Sequence, residues 1–220
     1  TVGVQGDLRR DEKNTITNTD PYVQASWKLA PTWTLDTGLR YSRVKFKTDD
    51  FYTAPANPLV AGDKSNPDDS GSATKNKFLP VLALSHALTS NDTIYGSVGR
   101  GFETPTLAEM SYSANSSGMN TSLQPSVSTQ FELGYRQRLT GDVQGMWSAA
   151  VFHSTTKDEI VTDANGTGGG RSVYKNAGKT RRVGAELQAD IKLSRQWDVQ
   201  AGYTYLDAQF REGDNAGNML

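Results

Sequence analysis

The chain has 220 residues, 35% of them hydrophobic, with 21 glycines, no cysteine and a formal net charge of −1. No run of about 18 apolar residues occurs, so no transmembrane helix is expected; the balanced charge offers no basic block for nucleic acid; and without cysteine there is no disulfide framework or thiolate metal site. A mean hydropathy of −0.59 leaves a membrane open, because a spanning strand needs only about 9–11 residues, half of them facing lipid.

The opening Thr1-Val2-Gly3-Val4-Gln5-Gly6-Asp7 lacks a basic start followed by an apolar run, as expected of a processed product or an internal fragment. Eight strands are then predicted from period-two alternation. In the first, about 20–29, Val23, Ala25, Trp27 and Leu29 oppose Tyr22, Gln24, Ser26 and Lys28. After a tight turn at Ala30-Pro31-Thr32, the second runs from Trp33 to about 47, with Leu35, Thr37, Leu39 and Tyr41 on one face. Its apolar phase then slips to Val44 and Phe46, which predicts either a bulge or an exit from the hydrocarbon layer.

A long polar segment covers about 48–76. Its acidic stretch from Asp63 to Gly71 lacks the alternating ligand pattern of a calcium loop and reads as solvated. Strands three (about 77–88) and four (about 93–102) leave their faces ambiguous. After a second long connection, strand five (about 126–139) sets Val127, Thr129, Phe131, Leu133 and Tyr135 against Ser128, Gln130, Glu132, Arg136 and Arg138. Strand six covers about 144–157, a third long loop about 162–172, strand seven about 173–193 and strand eight about 197–206, before a polar tail. Strand seven alternates over 183–193, with Val183, Ala185, Leu187, Ala189, Ile191 and Leu193 on one face.

The turns near 31, 91, 141 and 195 are short, and the connections near 60, 115 and 167 are long. That rhythm fits an outer-membrane barrel with short periplasmic turns and long extracellular loops. Trp27, Trp33 and Trp197 lie at the short-turn ends, where an aromatic girdle belongs, and Tyr41 and Tyr205 toward the other. The charges of the polar faces, Glu132, Arg136, Arg138, Glu186, Asp190 and Lys192, suit a wet or plugged lumen. A soluble antiparallel sandwich would also alternate.

The segment Gly99-Arg100-Gly101-Phe102-Glu103-Thr104-Pro105-Thr106-Leu107-Ala108-Glu109 closes strand four. As a phosphate cradle it fails, for its spacing is wrong and no helix pattern follows. It resembles instead the "RGF..PT..E" element of TonB-dependent outer-membrane receptors. Gly38-Leu39-Arg40-Tyr41, Leu123-Gln124-Pro125-Ser126 with Phe131-Glu132-Leu133-Gly134, Phe152 with Lys157-Asp158-Glu159-Ile160-Val161, and Tyr174-Lys175-Asn176-Ala177-Gly178 with Gly184-Ala185-Glu186-Leu187 resemble further family elements, in order.

The resemblance implies an all-β fold: an antiparallel transmembrane β-barrel segment, about eight strands of a 22-stranded barrel, with plug, TonB box and final strands outside the sequence. Residues 1–220 would then be part of the barrel domain of an active-transport receptor. It would lie in the Gram-negative outer membrane, bind a small ligand, contact outer-membrane lipid and draw on TonB–ExbB–ExbD through the plug. Phage or colicin at the extracellular loops would be further partners. A closer resemblance, in Gly6-Asp7-Leu8-Arg9-Arg10 and in Tyr174 to Arg182, is to the branch of the family that takes up pyrroloquinoline quinone. A ferric siderophore would call for similar cations and aromatics.

For either cargo the candidate ligand-binding residues are Arg100, Phe102, Tyr112, Arg171, Tyr174, Lys179, Arg181 and Arg182, offering guanidinium or ammonium donors and aromatic faces. Each could equally be a solvated loop charge or a lumen charge paired with a plug. No catalytic residue, metal site or cofactor is expected. His86 and His153 stand far apart without a nucleophile–acid spacing. A passive porin or adhesin, and a hydrolase, are the other classes this architecture admits.

Overall fold

The computed structural model describes residues 11–53, 68–111, 119–163, 172–213 and 216–220. In chain order the elements are β1 (Glu12–Thr19), β2 (Tyr22–Ala30), β3 (Trp33–Asp50), β4 (Gly71–Ala87), β5 (Asp92–Glu103), α1 (Leu107–Met110), β6 (Ser126–Leu139), β7 (Gln144–Lys157), β8 (Ile160–Thr162), β9 (Tyr174–Asn176), β10 (Lys179–Lys192) and β11 (Asp198–Phe210). All strands except β8 and β9 form one antiparallel sheet, in which each wall strand pairs with the next along the chain. This is the meander expected of a barrel wall, and the sheet does not close on itself.

β1 and β2 are two parts of one strand. Both pair with β3 in a common register, Glu12↔Asp50 and Tyr22↔Arg40. Asp20-Pro21 interrupts them because proline cannot donate to the ladder, yet the Pro21 carbonyl still accepts from the Tyr41 N–H at 3.0 Å. Counted this way the sheet has the eight predicted strands, with the first reaching back to Glu12 instead of starting near 20.

The registers fix which side chains share a face. One face carries Val23 and Trp27 of β2, Leu35 and Leu39 of β3, Phe78, Leu82 and Leu84 of β4, and Ile94 and Val98 of β5. It continues through Phe131, Leu133, Val151, Leu187, Tyr203 and Tyr205. The other carries Gln24, Asp36, Arg40, Tyr95, Glu132, Arg136, Glu186, Asp190 and Gln200. A face that is apolar along the whole arc, with large side chains standing exposed, is the lipid side; the polar face lines the lumen. The ambiguous strand β4 is thereby settled: Phe78, Pro80, Leu82 and Leu84 face lipid, and Leu79, Val81 and Ala83 face the lumen.

The band has the right height. Trp33, stacked on His86 with centroids 4.2 Å apart, marks its periplasmic edge. Tyr41 and Phe78, at 4.9 Å, mark the other. Eight residues at ~3.4 Å each, tilted by ~40°, give ~21 Å, close to the ~25 Å apolar belt of such barrels.

Three expectations are refined. The phase slip after Tyr41 is an exit from the membrane and not a bulge, because the β3–β4 register runs unbroken from Trp33↔His86 to Thr48↔Gly71. Above Tyr41 the outward side chains turn basic, while inward Val44 and Phe46 become buried under a loop. Predicted strand seven is not continuous. Gly178, at φ 84°, breaks it, so 174–176 pairs with 160–162 in a separate hairpin. The polar tail is also ordered: Met219 bridges to Gln209, and Leu220 N–H donates to the Ala208 carbonyl at 3.1 Å.

Candidate functional site

The connection between β5 and β6 folds over the lumenal side of the wall at its extracellular end. Its anchor is α1, a single helical turn. Thr106 accepts from the Glu109 N–H at 3.2 Å, and the Glu109 carboxylate accepts from the Thr106 N–H at 2.7 Å. This reciprocal capping box satisfies two donors that a helix start leaves open. The expectation that no helix follows Gly101 is therefore corrected, and the T-x-x-E spacing of Thr106 and Glu109 was the signal that could have found it. The turn drops Met110 onto Val44 and Phe46 in a small core, with Phe102, Leu107 and Met119 packed around it.

A second layer ties that connection to the next loop. Asn176 of β9 donates to the carbonyls of Gln124 and Asp158, both at 2.8 Å, and accepts from the Gln124 N–H at 2.8 Å. Asn120 donates to the Tyr174 carbonyl at 3.3 Å. Lys75, lumenal on β4, donates to the Thr121 carbonyl at 3.2 Å, and burial pushes its ammonium pKa down. Below this layer Arg182 meets Glu159 through both terminal guanidinium nitrogens, at 2.9 and 3.3 Å. Thr180, fully buried, donates to the same carboxylate at 2.8 Å. Burial pushes the Glu159 carboxyl up, but the Arg182 and Thr180 contacts outweigh it and hold it below the ordinary 4.5.

The third feature is a hollow of about 490 Å³ in the wall, lined by lumenal-phase Tyr22, Gln24, Gly38, Arg40, Leu79 and Val81 and also by Val23, Leu39 and Arg100, which take the outward phase of their strands. It forms where the β4–β5 ladder ends at Val81↔Gly99. The two strands part above that pair, and Phe102, which alternation would send outward, packs on the lumenal core through the seam. Arg40, on the lumenal phase, and Arg100, on the outward phase, both border it, and neither makes an ion pair with a described carboxylate.

The structure distributes the candidates unevenly. Arg100 lines the hollow and Phe102 belongs to the loop core. Tyr174 sits on β9 and lends its carbonyl to Asn120. Arg182 faces the lumen and holds Glu159. Lys179 and Arg181 take the outward phase of β10, where Arg181 pairs with Asp207 at 3.0 Å. Tyr112 and Arg171 lie outside the described residues, as does most of the acidic stretch from Asp63. Arg40 was missed as a site residue: the sequence shows it only as part of a strand motif, and its place in the lining of the hollow comes from the β2–β3 and β3–β4 ladders. Both histidines face lipid, His86 stacked on Trp33 and His153 beside Phe131 and Val151. Among the described residues no cluster of three His, Cys, Asp or Glu that could hold a metal occurs.

An antiparallel arc with a lipid face, a charged lumenal face, short turns at one end and inward-folded loops at the other is the wall of an outer-membrane transport barrel. Its sequence matches the family described as "TonB dependent receptor-like, beta-barrel" over residues 1–220. The chain belongs to that family, whose members are transport receptors and not enzymes, in the Gram-negative outer membrane. It is 26% identical over 205 residues to the probable TonB-dependent siderophore receptor PiuA of Acinetobacter baumannii, covering 91% of this chain and 25% of PiuA. It is 25% identical over 189 residues to the pesticin receptor of Yersinia enterocolitica, covering 86% of this chain and 26% of that receptor. The crystal structure of the ferric-catecholate import receptor Fiu from K12 E. coli superposes with a TM-score of 0.72 at 19% identity, over 96% of this chain and 31% of Fiu. The chain thus spans about a quarter of the length of these curated relatives.

Proposed function

We propose that this wall belongs to a receptor that captures a ferric siderophore at its extracellular end and releases it inward when TonB acts on a plug. The observation that carries this reading is the similarity to PiuA along 91% of the chain. The geometry supports it. A siderophore chelate commonly carries anionic oxygens and flat or apolar arms, and Arg40, the register partner of Tyr22, offers a forked donor next to an aromatic face. Lumenal Glu132, Arg136, Glu186 and Asp190 would meet the plug.

Pyrroloquinoline quinone, the cargo of the nearer sequence resemblance, would suit the same cations, but neither relative described above is named for it, and the siderophore reading is favoured. Passive permeation gives way because the family is one of TonB-dependent receptors. The exposed loops are also where a phage or a colicin-like protein would land, a role suggested by the name of the pesticin receptor.

The test is uptake by the full-length parent in a host stripped of its own siderophore receptors. Radiolabelled iron should enter as a hydroxamate or catecholate chelate, and only when TonB is present. Uptake of pyrroloquinoline quinone alone, or entry without TonB, would overturn the proposal.

A further inference from the structure

The two edges of β4 are used unequally. Its ladder with β3 runs from Trp33↔His86 to Thr48↔Gly71, whereas its ladder with β5 runs only from Ala87↔Thr93 to Val81↔Gly99. In an antiparallel strand both backbone groups of a residue address the same neighbour, and successive residues alternate between neighbours. The Ala87 N–H donates to the Thr32 carbonyl on the β3 side, and the Leu88 N–H to the Asp92 carbonyl on the β5 side. Even-numbered residues of β4 therefore address β5. Pro80 is the next of them above Leu82. It has no N–H to give, and the ladder stops there. Ser72, Thr74, Asn76 and Phe78 follow, all exposed. On that side their N–H and C=O groups have no backbone partner among the described residues.

Such an edge is a template for one more strand. It stands at and above the Tyr41–Phe78 pair, and β5 leaves it open by carrying Phe102 inward to the loop core. Over 72–78 it is ~20 Å long, the length of an ordinary strand. Its charge selects the occupant. Residues 71–80 carry Lys75 and Lys77 and no carboxylate, and β5 above Gly99 adds Arg100 and Glu103, so the gap is net positive. Lys77 faces the lumenal side, opposite Ser42, and has no carboxylate partner among the described residues. A second copy of this chain pairing by the same edge would set lysines against lysines. We propose that the upper edge of β4 is a docking strand for an extended acidic segment of a protein that approaches the receptor from outside the cell. The segment pairs with Ser72, Thr74, Asn76 and Phe78, and its carboxylates, on the alternate positions, meet Lys77. Backbone groups carry the pairing, so it does not depend on which cargo the receptor takes.

The test measures equilibrium binding of fluorescent peptides to the full-length receptor in detergent. The probes are capped Thr-Glu-Thr-Glu-Thr-Glu-Thr, the same peptide with Lys in place of Glu, and the acidic peptide N-methylated at its threonines, which removes edge donors and keeps the charge. The acidic peptide should bind at least about tenfold tighter than either control. Asn76→Pro removes a donor that faces the gap and leaves the β3 ladder whole, so it should weaken binding by about tenfold as well. Lys77→Gln should also weaken it, and keeps the test open should the proline variant fail to fold. No binding of the acidic peptide, equal binding of its N-methylated form, full binding to Asn76→Pro, or a receptor dimer that forms through this edge would overturn the proposal.

Discussion

Asn176 closes both backbone groups of Gln124, a residue 52 positions away, with one side-chain amide: its oxygen takes the N–H and its nitrogen serves the carbonyl, each at 2.8 Å. A third bond to the Asp158 carbonyl makes it the junction of two extracellular connections. Asn176→Ala removes all three bonds, and at ~0.5–1.5 kcal/mol each, with backbone groups left unsatisfied, the loop assembly should lose ~2–3 kcal/mol. Hydrogen exchange over 119–125 and 158–163 should accelerate, while the amides of β6 and β7 within the membrane stay protected.

Two lumenal glycines lie under aromatic rings, and their substitutions should part company. The three nearest atoms to a Cβ at Gly134 all belong to the Tyr95 side chain, whereas a Cβ at Gly184 would strike the Tyr205 carbonyl as well as the Phe152 ring. Overpacking of this kind costs ~1–3 kcal/mol. Gly134→Ala should be relieved by adding Tyr95→Ala. Gly184→Ala should not be relieved by Phe152→Ala, because the backbone obstacle stays. Gly202→Ala, which meets nothing within 4 Å, should be neutral. Heat-resistant folded mobility on electrophoresis reads all three.

Acid should loosen the rim through Glu159. Its carboxyl is depressed below 4.5 in the folded chain, so the stabilisation from Arg182 and Thr180 is complete above 4.5 and is lost as pH falls through the lowered value. Corrected for the intrinsic pH dependence of amide exchange, protection over 156–162 and 179–182 should be constant at neutral pH and should fall as acid protonates Glu159. Glu159→Gln should abolish that acid step and raise exchange at neutral pH instead.

The hollow is the part of the site most open to mutation. Arg40→Ala should weaken capture of a ferric chelate about tenfold or more, the scale expected when a charge-assisted donor is removed. Arg181→Ala, which faces out and pairs with Asp207, should leave capture unchanged. Equilibrium binding to the full-length receptor separates them.

How much of this was legible in the sequence depended on where a residue sits relative to the membrane. Within the hydrocarbon belt every lipid-facing position must be apolar, so Val183 to Ile191 announced both strand and face. β4 resisted because its lumenal phase is also apolar: Val81 fills the space over Gly38 and Gly99. Above the belt both faces of a strand are wet, so Glu12–Thr19, polar but for Ile16, gave no alternation to read. The β8–β9 hairpin is three residues a side and held by its clasp with Gln124, a contact invisible to periodicity. The family elements around Phe102, Thr106, Asn176 and Gly184 were found as patterns, and the structure shows each to be a packing or hydrogen-bonding device. Arg40 and Arg100 are 60 positions apart and take opposite phases of the wall, and only the folded sheet brings both to the border of one hollow.

The most direct test of the central claim exploits the lack of cysteine in this chain. Single cysteines at Gln24 and Val23 are neighbours in sequence on opposite faces of the wall, Gln24 toward the lumen and Val23 toward lipid, and both residues border the hollow. In intact cells expressing the full-length receptor, a membrane-impermeant maleimide should label Gln24→Cys and not Val23→Cys, and a ferric siderophore should protect Gln24→Cys. Equal labelling of the two, or protection by pyrroloquinoline quinone and by no ferric chelate, would contradict the account.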